Sequence, residues 1–367
     1  MTFLLNIYKQ LPHHILIMIM LNAEQKEVVY HRGSPLICFA AAGTGKTQAL
    51  TCRIASLILD DQVSPEKIVA LTFTRKAANE MSLVGISRDS FPYIGIFHSF
   101  CLQMLCKFNN NKTFLKLANF LEGLFSVIDA KESNRILKRV LESNSNIVEA
   151  SSKLDCSFNQ KSLDHQVQYV HHIIEKWRNN GLLPQDVERE LMLNEEENKE
   201  KKEKQRLSLL LILRMFKSYR KTCGNLQVMD FSDLILVFTN LLKQDHSLCM
   251  YCRTHMLEHL LADEYQDVNA AQTRLIEVLC RNRNHLNYEE ELDENEKPKL
   301  VESNLMVVGD DYQAIHECVD ALHPLRYAGL IQKSQLVNVF ARFTVYQGLP
   351  KLTLFLWNLF EELLCRN

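Results

Sequence analysis

An apolar run, a glycine-containing turn and a helical pattern follow one another between residues 36 and 58. This order constrains the fold more than any other feature of the chain. Leu36 to Ala40 is compact and apolar, as a strand buried on both faces is. Ala40, Ala41, Ala42, Gly43, Thr44, Gly45, Lys46 and Thr47 come next. Leu50, Ile54, Leu57 and Ile58 then recur on one helical side until Ser64-Pro65 breaks the pattern. A strand, a glycine turn ending in Gly-Lys-Thr, and a helix form the setting of a phosphate-cradling P-loop. Gly43 and Gly45 let the backbone bend so that its N–H groups surround phosphates. In that setting Lys46 would reach the β- and γ-phosphates, Thr47 would offer its hydroxyl to Mg²⁺, and the helix N-terminus adds a favourable dipole. Ala40 stands where the generic pattern has glycine. A glycine turn that only precedes a helix is the alternative.

The flanking sequence extends the pattern. Glu24 to Tyr30 reads as a short helix and Ile68 to Phe73 as a second buried strand, and this order predicts a parallel sheet covered by helices. From Leu102 to Gly224 the chain turns mostly helical, with a mixed-charge run from Glu195 to Lys204 that reads as a solvated helix or loop. After Met229 the α/β character returns, and Leu260 to Ala262 and Leu305 to Val308 are strand candidates. The acidic stretch from Glu289 to Glu296, ended by Pro298, reads as a surface insertion.

Composition narrows the classes. The chain has 367 residues, 47% of them hydrophobic and 23% charged, which is globular and large enough for two or three domains. A net charge of -2 does not announce a nucleic-acid partner, so any such contact must come from local groups. The 11 cysteines lie scattered along a chain without a recognisable signal peptide, which favours free thiols. Cys249 and Cys252, with His255 and His259 after them, have zinc spacing on one side only. Buried apolar cysteines are the simpler reading. The apolar run from Ile15 to Leu21 is too short to span a bilayer and reads as an extra helix or a leader.

Asp263-Glu264 directly follows the apolar run Leu260-Leu261-Ala262. A carboxylate at the end of a strand can hold Mg²⁺ beside a P-loop. The adjacent Glu264 can orient and deprotonate an attacking water. An Asp-Glu pair alone is weak evidence, and the upstream P-loop gives it meaning.

Asp263-Glu-Tyr-Gln-Asp-Val-Asn269, followed by Ala271-Gln272, resembles the second motif of the UvrD/Rep-like superfamily 1 DNA helicases. Other motifs of that family are matched in order. Leu21-Asn22 and Gln25 resemble its Q motif, and Ala40–Thr47 its first motif, where alanine commonly leads. Leu71-Thr-Phe-Thr-Arg-Lys-Ala-Ala-Asn-Glu-Met81 resembles the motif that grips single-stranded DNA, and Phe97-His-Ser-Phe100 the next DNA-contacting one. Met229-Asp-Phe-Ser-Asp-Leu-Ile235 resembles the short segment before the second motif, and Val308-Gly-Asp-Asp-Tyr-Gln-Ala-Ile315 the third. Trp177-Arg-Asn-Asn-Gly-Leu182, followed by Pro184, is a familiar piece of the helical insertion. The resemblance covers residues 21–316.

It implies an α/β, RecA-like P-loop NTPase fold: a parallel sheet with helices on both faces, interrupted by a helical insertion domain. The expected divisions are a leader at 1–20, an ATP-binding motor domain at 21–101 plus 226–317, the insertion at 102–225, and an unassigned segment at 318–367. The implied activity is ATP-dependent DNA unwinding with 3′-to-5′ polarity, using ATP and Mg²⁺. Lys46, Glu264 and Gln313 are implied in catalysis, Thr47 and Asp263 in metal binding. Gln25 is implied to read adenine through its amide, which donates and accepts at once. Thr72, Thr74 and His98 are implied to contact the DNA backbone and Phe73 to stack on a base. Phe73 as core and His98 as a structural histidine are the alternatives.

The partners implied are single-stranded DNA, duplex junctions, and repair or recombination proteins, with no membrane. Location in a nucleus is expected where the cell has one. The pattern breaks after the third motif, where His316-Glu-Cys-Val-Asp-Ala321 replaces the family's stacking aromatics. The family's second motor domain, with its completing arginines, is not in this sequence. The chain is therefore expected to be truncated, hydrolysing ATP poorly and not translocating. A non-motor ATP- or DNA-binding fragment is the competing reading, and the ATPase part of a helicase–nuclease a third.

Overall fold

Four strands carry hardly any polar residue, and the architecture follows from that. They are β1 (Leu36–Phe39), β2 (Ile68–Thr72), β6 (His259–Ala262) and β7 (Leu305–Gly309). Every residue of β2, β6 and β7 is buried, as parallel strands covered on both faces must be. The computed structural model describes residues 21–33, 35–40, 43–73, 78, 93–143, 162–193, 200–280 and 304–309. The leader, the acidic stretch, the segment 318–367, and the residues Ala41, Ala42, Thr74 and Gln313 lie outside the described residues.

With β3 (Ile94–Ile96) the strands form a sheet in the order β1-β7-β6-β2-β3. The pairs β1–β7, β7–β6 and β6–β2 are parallel, with Phe39 opposite Gly309, Ala262 opposite Val307 and Leu71 opposite Ala262. This is the mixed α/β fold expected of the sequence. The register carries β1 and β6 to a common C-terminal edge, where such sheets bind ligands.

Chain contacts divide the protein into two compact units: Met1–Ile94, Met256–Asp267 and Cys280–Asn367 form one, Gly95–His255 and Val268–Leu279 the other. The first holds α1 (Ala23–Tyr30) and α2 (Lys46–Leu59). Val28, Leu50, Ile54 and Leu57 pack with Leu36, Ile68, Leu261 and Met306 into its core.

The second unit is built from α3 (Phe97–Lys107), α4 (Lys112–Ala118), α5 (Ala130–Ser143), α6 (Leu163–Asn179), α7 (Pro184–Leu193), α8 (Glu200–Asn225), α9 (Phe231–Gln244), α10 (His246–His255) and most of α11 (Ala270–Cys280). A short parallel pair, β4 (Ser126–Ile128) with β5 (Val228–Asp230), lies within it. These boundaries differ from those read off the sequence, which ended the helical insertion at 225. The contacts of α9 explain the difference: its Asp233 pairs with Arg178 of α6 at 3.5 Å, so α9 is bound to the helical unit.

A buried ionic network fastens α9 to α6. Arg178, 2% exposed, pairs with Asp230, Asp233 and Glu175. Tyr219 Oη donates to Asp230 at 2.7 Å, and Arg220 lies 3.5 Å from Asp233. Asp230 also caps α9 by accepting the Asp233 N–H. Gly181, at φ +71, turns the chain after α6, and Leu182 N–H closes the turn on the Trp177 carbonyl at 3.0 Å. The Trp177–Pro184 and Met229–Ile235 segments thus meet through Arg178.

Removing Arg178 strands buried carboxylates, a loss of about 3–5 kcal/mol in comparable pairs. Arg178→Ala is expected to destabilise the chain by that order in urea denaturation, and a loss below about 1 kcal/mol would count against the network.

Candidate nucleotide and metal site

The loop between β1 and α2 takes its shape from two glycines. Gly43 and Gly45 have φ of +78 and +85, a region that L side chains rarely adopt. Ala40 N–H donates to the Gly309 carbonyl at 2.9 Å, which extends the β1–β7 ladder to the loop's first residue. Gly45 is the N-cap of α2 and supplies no side-chain cap, so the start of the helix keeps its dipole for an anion.

Three further residues converge on this loop. The Thr47 hydroxyl donates to Asp263 Oδ2 at 3.2 Å. Lys46 Nζ lies 3.6 Å from Glu264 Oε2. The Asp263 N–H donates to the Leu71 carbonyl at 2.9 Å, so the β2–β6 ladder itself delivers Asp263 to the sheet's edge. The sequence-predicted Lys46, Thr47, Asp263 and Glu264 therefore stand together.

Asp263 is fully buried, and burial pushes its carboxyl above the usual range. The neighbouring Glu264 charge adds to that shift, while the Glu264 N–H, the Thr47 hydroxyl and Lys46 oppose it. A divalent cation would offset the same desolvation. The donors present, a hydroxyl and a carboxylate oxygen, are the hard ligands Mg²⁺ takes alongside phosphate oxygens, so the residues fit the ion.

Glu264 is held in place from several directions. Its φ is +50, which costs a non-glycine residue about 1–3 kcal/mol and marks positions fixed by their surroundings. Its N–H donates to Asp263 Oδ1 at 2.9 Å, and its carbonyl accepts the Asp267 N–H at 3.0 Å. Gln266 Nε2 donates to Glu264 Oε2 at 2.6 Å. Sequence reasoning passed over Gln266, although its place two residues after Glu264 was the available signal.

Gln25 sits beside the loop. Its Nε2 donates to the Thr44 carbonyl at 2.9 Å, and its Oε1 accepts the Asn22 N–H at 3.0 Å. The residues expected to meet DNA fare differently from one another. Thr72 is wholly buried at the end of β2, so its hydroxyl is not at the surface. Phe73, the next residue, is 49% exposed, unlike a core side chain. His98 is half-buried, its imidazole pushed down by burial, and it meets the ring of Phe231 edge-on at 6.0 Å. Phe231 is itself half exposed and was not singled out in the sequence.

The zinc alternative finds no support. Cys249 and Cys252 are buried in α10, with the Cys252 thiol raised to about 12 by burial. Among the described residues no group of three His, Cys, Asp or Glu is placed to hold a metal. Nor is any helix there long and apolar enough to cross a membrane.

Comparison with known proteins decides the family, because the model of the UvrD/REP helicase N-terminal domain matches residues 21–323. The chain belongs to the UvrD/REP helicase family. It is 32% identical over 272 residues to a probable DNA helicase II homolog of Mycoplasma capricolum, covering 73% of this chain and 33% of that protein. It is 31% identical over 267 residues to DNA helicase II of Rickettsia typhi, covering 71% and 36%. It is 28% identical over 301 residues to ATP-dependent DNA helicase PcrA of Staphylococcus epidermidis, covering 81% and 34%. The chain thus spans about a third of the length of the curated relatives it matches. These relatives are bacterial and lend no support to a nuclear location.

Asp263 binds its proton more tightly folded than unfolded. Its contribution to stability therefore falls as pH rises through the raised folded value. Asp263→Asn is accordingly expected to raise the metal-free melting temperature by about 1–2 °C, the size of a ~1 kcal/mol gain in a chain of this length. The same variant should lose the further rise that MgADP gives the natural chain. Thermal melts at pH 7.5 check both, and a lower metal-free melting temperature in the variant would count against the buried-charge account.

Proposed function

We propose that the chain forms the ATP-binding half of a DNA helicase motor. In this reading the whole motor, of which this chain is one half, couples ATP hydrolysis to 3′-to-5′ movement along single-stranded DNA and to duplex unwinding. The observation that carries it is the pairing of Thr47 with Asp263, and of Lys46 with Glu264, at one edge of a parallel sheet behind a glycine loop. The names of the relatives, DNA helicase II and PcrA, support the same reading and suit work in repair.

Each residue has a chemical task. Lys46 leaves Glu264 to neutralise the β- and γ-phosphates. Thr47 and Asp263 would hold magnesium, which when bound draws charge from the phosphate oxygens. Glu264, steadied by the Gln266 amide, orients a water for attack on the γ-phosphate and accepts its proton. Gln313 is proposed to sense the γ-phosphate, and Phe73 to stack on a base. Single-stranded DNA and duplex junctions are the proposed partners, with repair or recombination proteins beside them. The domain division proposed is a motor domain of 21–101 plus 226–317 carrying the insertion 102–225.

Phosphate release by the purified chain, with and without single-stranded DNA, tests this. Lys46→Ala is expected to lower the turnover about 10²–10³-fold, the order for losing one preorganised charge contact. Phe73→Ala is expected to weaken single-stranded DNA binding about tenfold while leaving nucleotide affinity unchanged. Turnover that DNA does not stimulate, and that Lys46→Ala does not lower, would favour a nucleotide- or DNA-binding role without a motor.

A further inference from the structure

We infer that Gln266 is a positioning residue that leaves a single oxygen of Glu264 to receive the proton of the attacking water, and that Gly309 sets the place of its amide. This rests on the reading of the site as one that hydrolyses a nucleoside triphosphate. The Glu264 side chain is 31% exposed, and both contacts its carboxylate makes among the described residues fall on one oxygen. Gln266 Nε2 donates to Oε2 at 2.6 Å, and Lys46 Nζ lies 3.6 Å from the same atom. Oε1 has no protein partner among the described residues. Lys46 is a temporary partner, since a triphosphate would draw its ammonium to the β- and γ-phosphates. The Gln266 amide is then the contact that remains. A carboxylate turns about its last torsion in broad, two-fold wells, so holding one oxygen decides where the other points. In the step itself the water's proton passes to Oε1 and its oxygen bonds to the γ-phosphorus. The bond from that phosphorus to the β–γ bridging oxygen breaks, and ADP leaves.

The amide is itself placed by the fold. The left-handed backbone of Glu264, and the bond from the Asp267 N–H to the Glu264 carbonyl, turn the chain back at once. The side chain two residues on therefore reaches Glu264. Gln266 is buried, and its Oε1 stands 3.2 Å from where a Cβ on Gly309 would lie. Even a methyl group there would press the amide aside by a few tenths of an ångström. Gly309 closes β7, and its carbonyl accepts the Ala40 N–H at 2.9 Å. One residue thus ties down the start of the phosphate loop and makes room for the amide that aims the base, so loop and base share an anchor.

Turnover at saturating MgATP and the Kd of fluorescent MgADP, both measured on the full chain, test the proposal. Gln266→Met fills the same space without the donor, and Gly309→Ala displaces the donor without removing it. Gln266→Met is expected to lower turnover about 10–100-fold, the order for losing a hydrogen bond to a charged group, with the MgADP Kd unchanged within about twofold. Gly309→Ala is expected to lower turnover about fivefold by itself and to add nothing in the Gln266→Met background. Unchanged turnover in Gln266→Met overturns the inference and leaves the hydrolytic site standing. So does a Kd that weakens as much as turnover falls, or a double variant whose loss is the product of the two single losses. A natural chain that hydrolyses ATP no faster than Lys46→Ala overturns the hydrolytic reading and the inference together.

Discussion

The hydroxyl of Thr47 and the carboxylate of Asp263 come from segments 216 residues apart and meet at 3.2 Å, and the rest of the site depends on that meeting. Neither side chain could bring it about alone. The β1–β7–β6 ladders set it up, because their parallel register ends both β1 and β6 at the same edge. Ala40 is tied there by the Gly309 carbonyl and Asp263 by the Leu71 carbonyl, each bond lying one residue beyond the strand. Slipping either strand by one residue would turn its side chains to the opposite face and take the carboxylate out of reach.

Such a meeting is costly in the absence of a ligand. Asp263 is buried beside Glu264, so its own charge is disfavoured. Glu264 holds a left-handed backbone. Gly43 and Gly45 give up the freedom that other residues would not have had to lose. The apolar packing around Ile54, Leu57, Leu261 and Met306 offsets these losses, and a magnesium-bound triphosphate would convert them into affinity.

Much of this was legible because it is local. The strand, loop and helix around Lys46 occupy one stretch of chain, and the apolar runs at β2, β6 and β7 need no partner to be recognised as buried. The pairing of Asp263 with the P-loop was legible through the family's motifs, since spacing alone does not bring distant residues together. Contacts between remote positions were not legible. The Arg178 network joins α6 to α9, and His98 meets Phe231, yet nothing in either segment says which residue of the other it meets. The grouping of α9 was not legible for a related reason: its apolar periodicity is the same whichever body it packs against. Thr72 and Phe73, neighbours at the end of β2, divide into buried and exposed because strand side chains alternate and the strand stops between them. Gln25 was legible as a residue of the site, but not its existing bonds to Asn22 and Thr44.

The central claim is that Thr47 and Asp263 form one divalent-cation site completed by nucleotide. Mn²⁺ can report on it directly, because its electron paramagnetic resonance spectrum responds to neighbouring phosphorus nuclei. The account predicts one Mn²⁺ bound in the presence of ADP, with coupling to the phosphates, and loss of that signal in Asp263→Asn. Equal Mn²⁺ binding and coupling in the natural chain and in Asp263→Asn would contradict it.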